Sequence, residues 1–162
     1  MSDCCSDGAC EVPTTTNITT DCPNCKQAGK HVDTQIVKSM LKGSLHSIQD
    51  GTNYYFCRTP DCYVVYFNED GEQTYATIEV RERVFQKEPD ASDVHVCYCF
   101  QHSPASIREE IIITGNSTVV AEINSAIKAG KCACDIRNPQ GTCCLGNVQQ
   151  VVKALVVDLR TE

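Results

Sequence analysis

Tyr54-Tyr55-Phe56-Cys57-Arg58-Thr59-Pro60-Asp61-Cys62-Tyr63-Val64-Val65-Tyr66-Phe67 holds the pattern from which the rest of the chain can be laid out. Both ends are dense in aromatic and β-branched side chains. These fit a pleated, largely buried surface, so each end is expected to be a strand. Cys57 and Cys62 stand between them with four residues in the gap, and Pro60 and Asp61 favour a tight turn there. Asn68-Glu69-Asp70-Gly71 follows as another turn. Further short strands are expected at Thr74 to Val80 and at Arg83-Val84-Phe85.

Upstream, His31 to Leu41 carries an apolar stripe at helical spacing (Ile36, Val37, Met40, Leu41), and Gly43 stops it. Downstream, Gln86 to Asp93 is charged, contains Pro89, lacks periodicity and is expected to be a linker. Beyond it the pattern turns helical. Ser103-Pro104 sets an N-cap with proline at the first helical position, Ile107, Ile111 and Ile112 mark a buried face, and Gly115 closes the helix. Thr118 begins a second helix with Val119, Val120, Ile123 and Ile127 on one face and Gly130 just past its end. Val148, Val151, Val152, Leu155, Val156 and Leu159 define a third.

The chain has 162 residues, no Trp and only four Phe, so a small core needs reinforcement. Thirteen cysteines supply the means. The N-terminus is polar and acidic without an apolar run, which argues against an export signal and for a cytoplasmic protein. Cysteine-rich chains in a reducing compartment bind metal more often than they form disulfide frameworks, and an odd count cannot pair completely. The net charge of −7 and the lack of a basic run argue against a nucleic-acid partner. No apolar run is long enough to insert into a membrane.

Cys22-Pro23-Asn24-Cys25 offers two thiols across a short turn, and Cys57 with Cys62 offers two more. Two such pairs complete a closed, tetrahedral zinc site. Cys97-Tyr98-Cys99 is tighter than a zinc knuckle. Cys132-Ala133-Cys134 and Asn138-Pro139-Gln140-Gly141-Thr142-Cys143-Cys144 lie beyond two helices. These sulfurs suit either a [2Fe–2S] cluster or a second zinc ion, because thiolate sets alone do not select one metal. In the cluster arrangement Cys97 and Cys99 share one iron. One of Cys132 or Cys134, with one of Cys143 or Cys144, takes the other.

Tyr55-Phe56-Cys57, Cys62 to Asn68, Gly71-Glu72, Val96 to Cys99 and Asn138 to Cys144 together resemble the N-terminal half of the CopZ copper chaperone family. The second half is similar to the [2Fe–2S] domain of bacterioferritin-associated ferredoxins. The resemblance implies an α+β chain in which a small zinc-binding β-rich subdomain precedes a compact helical [2Fe–2S] domain. It implies zinc on Cys22, Cys25, Cys57 and Cys62, and the cluster on Cys97, Cys99, Cys134 and Cys144. The family's usual C-terminal copper-binding domain is expected to be absent. The domains are then a flexible cysteine-containing tail at 1–20, the zinc subdomain at 21–88 and the cluster domain at 89–162.

The function expected is metallochaperone-like metal homeostasis with one-electron transfer, reducing or handing over a soft metal such as copper. A non-redox binding or sensor module with structural zinc and cluster is the alternative. Expected partners are the metal ion, a metal transporter and an electron-donor protein. Cys4, Cys5 and Cys10 form a further set suited to soft ions such as Cu(I), Hg(II) or arsenite. His95 and His102 flank the Cys97/Cys99 pair but would leave cluster thiols unused if they were ligands. No phosphate-binding glycine loop or nucleophile–base pair is visible, so a turnover enzyme is not expected.

Overall fold

The computed structural model describes residues 19–162. Positions 1–18 of the expected tail, with Cys4, Cys5 and Cys10, lie outside the described residues, whereas Thr19 N donates to Glu69 O at 3.0 Å and Thr20 O accepts from Gly29 N at 2.6 Å. Four strands, β1 (Lys30–Val32), β2 (Tyr54–Phe56), β3 (Val64–Asn68) and β4 (Thr74–Ala76), form one antiparallel sheet in chain order. Tyr54 pairs with Asn68, Tyr55 with Phe67 and Phe56 with Tyr66. Strands β2 and β3 are buried along their whole length, which explains their unbroken apolar runs. Tyr54, Phe56, Val65 and Tyr66 pack with α1 (Thr34–Met40). Tyr55, Val64 and Phe67 instead pack with Cys22, Cys57 and Cys62. The sheet thus separates an apolar core from a layer containing sulfur.

Several sequence expectations shift here. The helix expected from His31 starts at Thr34, because Asp33 caps it through a 2.9 Å bond from Gln35 N and Lys30–Val32 is drawn into the sheet. The strand expected over Thr74 to Val80 ends at Ala76, where Glu79 accepts from Ala76 N and turns the chain into a 3-10 turn. Arg83-Val84-Phe85 is not a strand, and a 3-10 turn covers Phe85–Lys87. The stretch expected to be a bare linker is held by Arg83, which pairs with Glu88 at 2.5 Å and with Asp93 at 2.8 Å.

The second half holds α2 (Pro104–Thr114), α3 (Val119–Lys128), a short α4 (Cys134–Arg137) and α5 (Leu145–Thr161). The capping of α2 is reciprocal: Ser103 Oγ accepts from Ser106 N at 3.2 Å, and Ser106 Oγ accepts from Ser103 N at 3.0 Å. Thr118 occupies the N-cap of α3, but its hydroxyl bonds Glu110 and Glu122 and not the backbone of its own helix. Ile107, Ile111, Val119, Ile123 and Val148 form the apolar centre, with Val151, Val152, Leu155, Val156 and Leu159 of α5 closing one side. No described helix is long and apolar enough to cross a membrane.

The two halves are docked. Tyr66 Oη donates to Pro139 O across 2.5 Å in the interior, and Lys30 Nζ reaches Thr142 Oγ1 at 2.9 Å. Gly141 takes a φ of 70°, and a β-carbon there would stand 3.1 Å from Ile36 Cγ2. That position needs glycine both for its left-handed backbone and for its close approach to α1.

Candidate metal centres

The first centre is built by two knuckles on one side of the sheet. Lys26 N donates to Cys22 O at 2.9 Å, and Lys26 itself sits at a φ of 61°, so the chain folds tightly back after Cys25. Cys62 N donates to Thr59 O at 3.2 Å and closes the second knuckle. The four sulfurs of Cys22, Cys25, Cys57 and Cys62 all lie within 4.8 Å of one another. Cys22 faces Cys62 at 3.8 Å and Cys25 faces Cys57 at 3.6 Å. Four zinc–sulfur bonds of about 2.3 Å at tetrahedral angles hold sulfurs about 3.8 Å apart. The set therefore matches one zinc ion in size and in donor chemistry.

The surroundings are polarised toward thiolates. Asn24 Nδ2 donates to Cys62 Sγ at 3.2 Å, and Lys87 Nζ donates to Cys57 Sγ at 3.3 Å and to Thr59 O at 2.8 Å. Burial pushes the Cys22 thiol up to about 12. Cys25 also feels burial, but bonds from Thr59, Gln27 N–H and neighbouring sulfurs outweigh it and bring the thiol down to about 6. Four crowded sulfurs cannot all ionise unaided, and a dication removes that conflict.

The second centre gathers Cys97, Cys99, Cys132, Cys134 and Cys144. Cys99, Cys132 and Cys134 keep their sulfurs within 4.8 Å of one another, and Cys97 and Cys144 lie beside this trio without joining it. The Cys144 thiol, 1% exposed, is raised above the ordinary thiol range by the neighbouring sulfurs of Cys134 and Cys97 and by burial. The neighbouring Cys144 sulfur in turn brings Cys134 down to about 5 and Cys97 to about 7. Cys99, pushed up to about 12 by burial, accepts from Ala133 N at 3.3 Å. The backbone N–H groups of Phe100 and Cys99 also lower Cys97, against the effect of its burial. Cys143, next in sequence to Cys144, is exposed.

His95 packs edge-on against Tyr98, and His102 pairs through its backbone with Cys97. Neither histidine joins a metal-sized donor group among the described residues. Asn24 and Thr59 lie within the knuckles, so the motifs themselves point to them. Lys87 carries no such signal, because it comes from the stretch expected to be a linker.

The zinc binding domain family of CopZ proteins matches residues 19–81. A copper chaperone, CopZ, of Archaeoglobus fulgidus is 32% identical over 130 residues, which is 80% of this chain. The matched region spans 60% of that relative's length. The crystal structure of the N-terminal domain of Archaeoglobus fulgidus CopZ superposes with a TM-score of 0.65 at 32% identity, covering 81% of this chain and 96% of that one. The four sulfurs above fall inside the family match. By this N-terminal zinc-binding domain, the chain belongs to the CopZ family.

Proposed function

We propose that the protein works in metal homeostasis as a metallochaperone-like, electron-transferring protein. Zinc would sit on Cys22, Cys25, Cys57 and Cys62, and a [2Fe–2S] cluster on Cys97, Cys99, Cys134 and Cys144. The observation that carries the second assignment is the shape of the sulfur set. It extends past what one ion can bridge, with Cys97 and Cys144 beside the Cys99/Cys132/Cys134 trio. Two thiolates at each end suit two irons.

The residues present fit such a group. Cys144 is the N-cap of α5, whose first-turn N–H groups favour negative charge there. The backbone N–H of Ala133 donates to Cys99 Sγ at 3.3 Å, and nearby backbone N–H groups help hold Cys97 and Cys134 below the ordinary thiol range. When bound, the cluster supplies a one-electron couple whose potential these hydrogen bonds and burial tune. The chain's part is to hold the thiolates and exclude water from Cys97, Cys134 and Cys144. Cys99 and Cys132 are only half-buried, which leaves one side open to an electron donor or a soft metal such as copper.

The test is a reductive titration of anaerobically purified protein followed by visible absorption. The expected result is partial, reversible bleaching by one electron per chain, and oxidation of the reduced protein by Cu(II) to yield Cu(I) trapped by a chelator. A protein without visible absorption, or one whose reduced form leaves Cu(II) untouched, contradicts the proposal.

A further inference from the structure

Cys132 is a fifth sulfur at a centre for which four suffice. Its Sγ lies 3.4 Å from Cys134 Sγ and 4.0 Å from Cys99 Sγ, and Cys99 stands 3.6 Å from Cys134. Three metal–sulfur bonds of about 2.3 Å place their sulfurs about 4 Å apart in a planar ion and closer in a pyramidal one. The trio therefore has the size of a three-thiolate site for a soft ion. Cys99 and Cys132 are partly exposed, so an ion can enter from solvent.

We propose that Cys99, Cys132 and Cys134 form a three-coordinate site for a thiophilic ion, and that its occupation and cluster assembly exclude each other. Exclusion follows because both arrangements need Cys99 and Cys134, whereas Cys132 serves only the three-thiol site. The exclusion rests on the cluster assignment made above, and the three-thiol site does not. Arsenite is the probe best matched to it. As(OH)3 condenses with three thiols: three As–S bonds form, three As–O and three S–H bonds break, and each thiol proton leaves with an arsenic hydroxide as water, with no change of oxidation state.

The experiment uses the full, reduced, cluster-free chain carrying one equivalent of zinc, with Cys4, Cys5 and Cys10 replaced by Ser so that those thiols do not compete. Arsenite is titrated and read by ultraviolet absorption of the As–S bonds and by intact mass. The expected product is one arsenic bound per chain with loss of three protons. Both C132S and C132A should weaken binding at least about tenfold while retaining zinc, which shows that the zinc domain is folded. Protein holding iron and sulfide should take up arsenite only as iron is released. Undiminished binding by both Cys132 variants would overturn the three-thiol site. Equal arsenite uptake by iron-loaded protein without iron release would overturn the exclusion. Iron-free protein from every anaerobic preparation would count against the cluster assignment and leave the arsenite titration to be judged alone.

Discussion

Lys87 shows how a single side chain outside any motif bears on the zinc domain. Its ammonium donates to Cys57 Sγ at 3.3 Å and is fixed by the Thr59 carbonyl at 2.8 Å. A cation there offsets the negative charge that four thiolates leave on a dication. Partners of this kind, when removed, cost roughly 10–100-fold in metal affinity. Lys87→Ala should therefore weaken zinc binding at least about tenfold in competition with a chromophoric chelator. Unchanged competition would show that the contact is incidental. The four zinc-site cysteines are legible in the sequence because two short gaps each contain turn-forming residues. Lys87 is not, because it meets the site only after the charged stretch folds back over Thr59. The same limit applies to Cys132. Spacing offers Cys132 or Cys134 as alternatives, and only the folded chain shows both sulfurs at one place.

At the scale of elements, unbroken apolar runs locate the fully buried β2 and β3, and periodic apolar stripes locate the three long helices. They fail where side chains override the pattern. Asp33 caps α1 later than its apolar stripe suggests, and Glu79 ends β4 early. The four-residue α4 is too short for periodicity to show. The Ser103/Ser106 box is a local signal that the fold retains, and it fixes the start of α2 close to the Cys97–His102 turn. Ser103→Ala should lower stability by about 1 kcal/mol in chemical denaturation. A loss below about 0.3 kcal/mol would show that Pro104 and packing alone set the helix start. The exposed pairs of Arg108 with Asp158 and Glu162, at 2.9 and 3.2 Å, add less to the α2–α5 contact than the buried stripe does.

Among the described residues, the apolar cluster of the sheet with α1 and that of α2, α3 and α5 are joined by buried contacts. Tyr66 leaves the sheet of the zinc domain and donates to Pro139 O, in the loop that leads to Cys144. Gly141 of the same loop lies against Ile36 and Val32. Nothing in the sequence links these positions, since 73 residues separate Tyr66 from Pro139. Tyr66→Phe removes the hydroxyl that donates to that buried carbonyl, which should destabilise the protein by ~1–3 kcal/mol. Because the loop carries Cys144, the variant should also lose iron faster than the parent on exposure to a chelator, with zinc retained. Equal iron-loss rates would show that the two units act independently.

Two sets of sulfur in one chain, each holding a different kind of inorganic group, should show in zinc, iron and acid-labile sulfide analysis of protein purified without oxygen. About one zinc, two irons and two sulfides per chain are expected, with Cys97→Ser removing iron and sulfide but not zinc. Colourless protein holding zinc at both centres, and no sulfide, would contradict this.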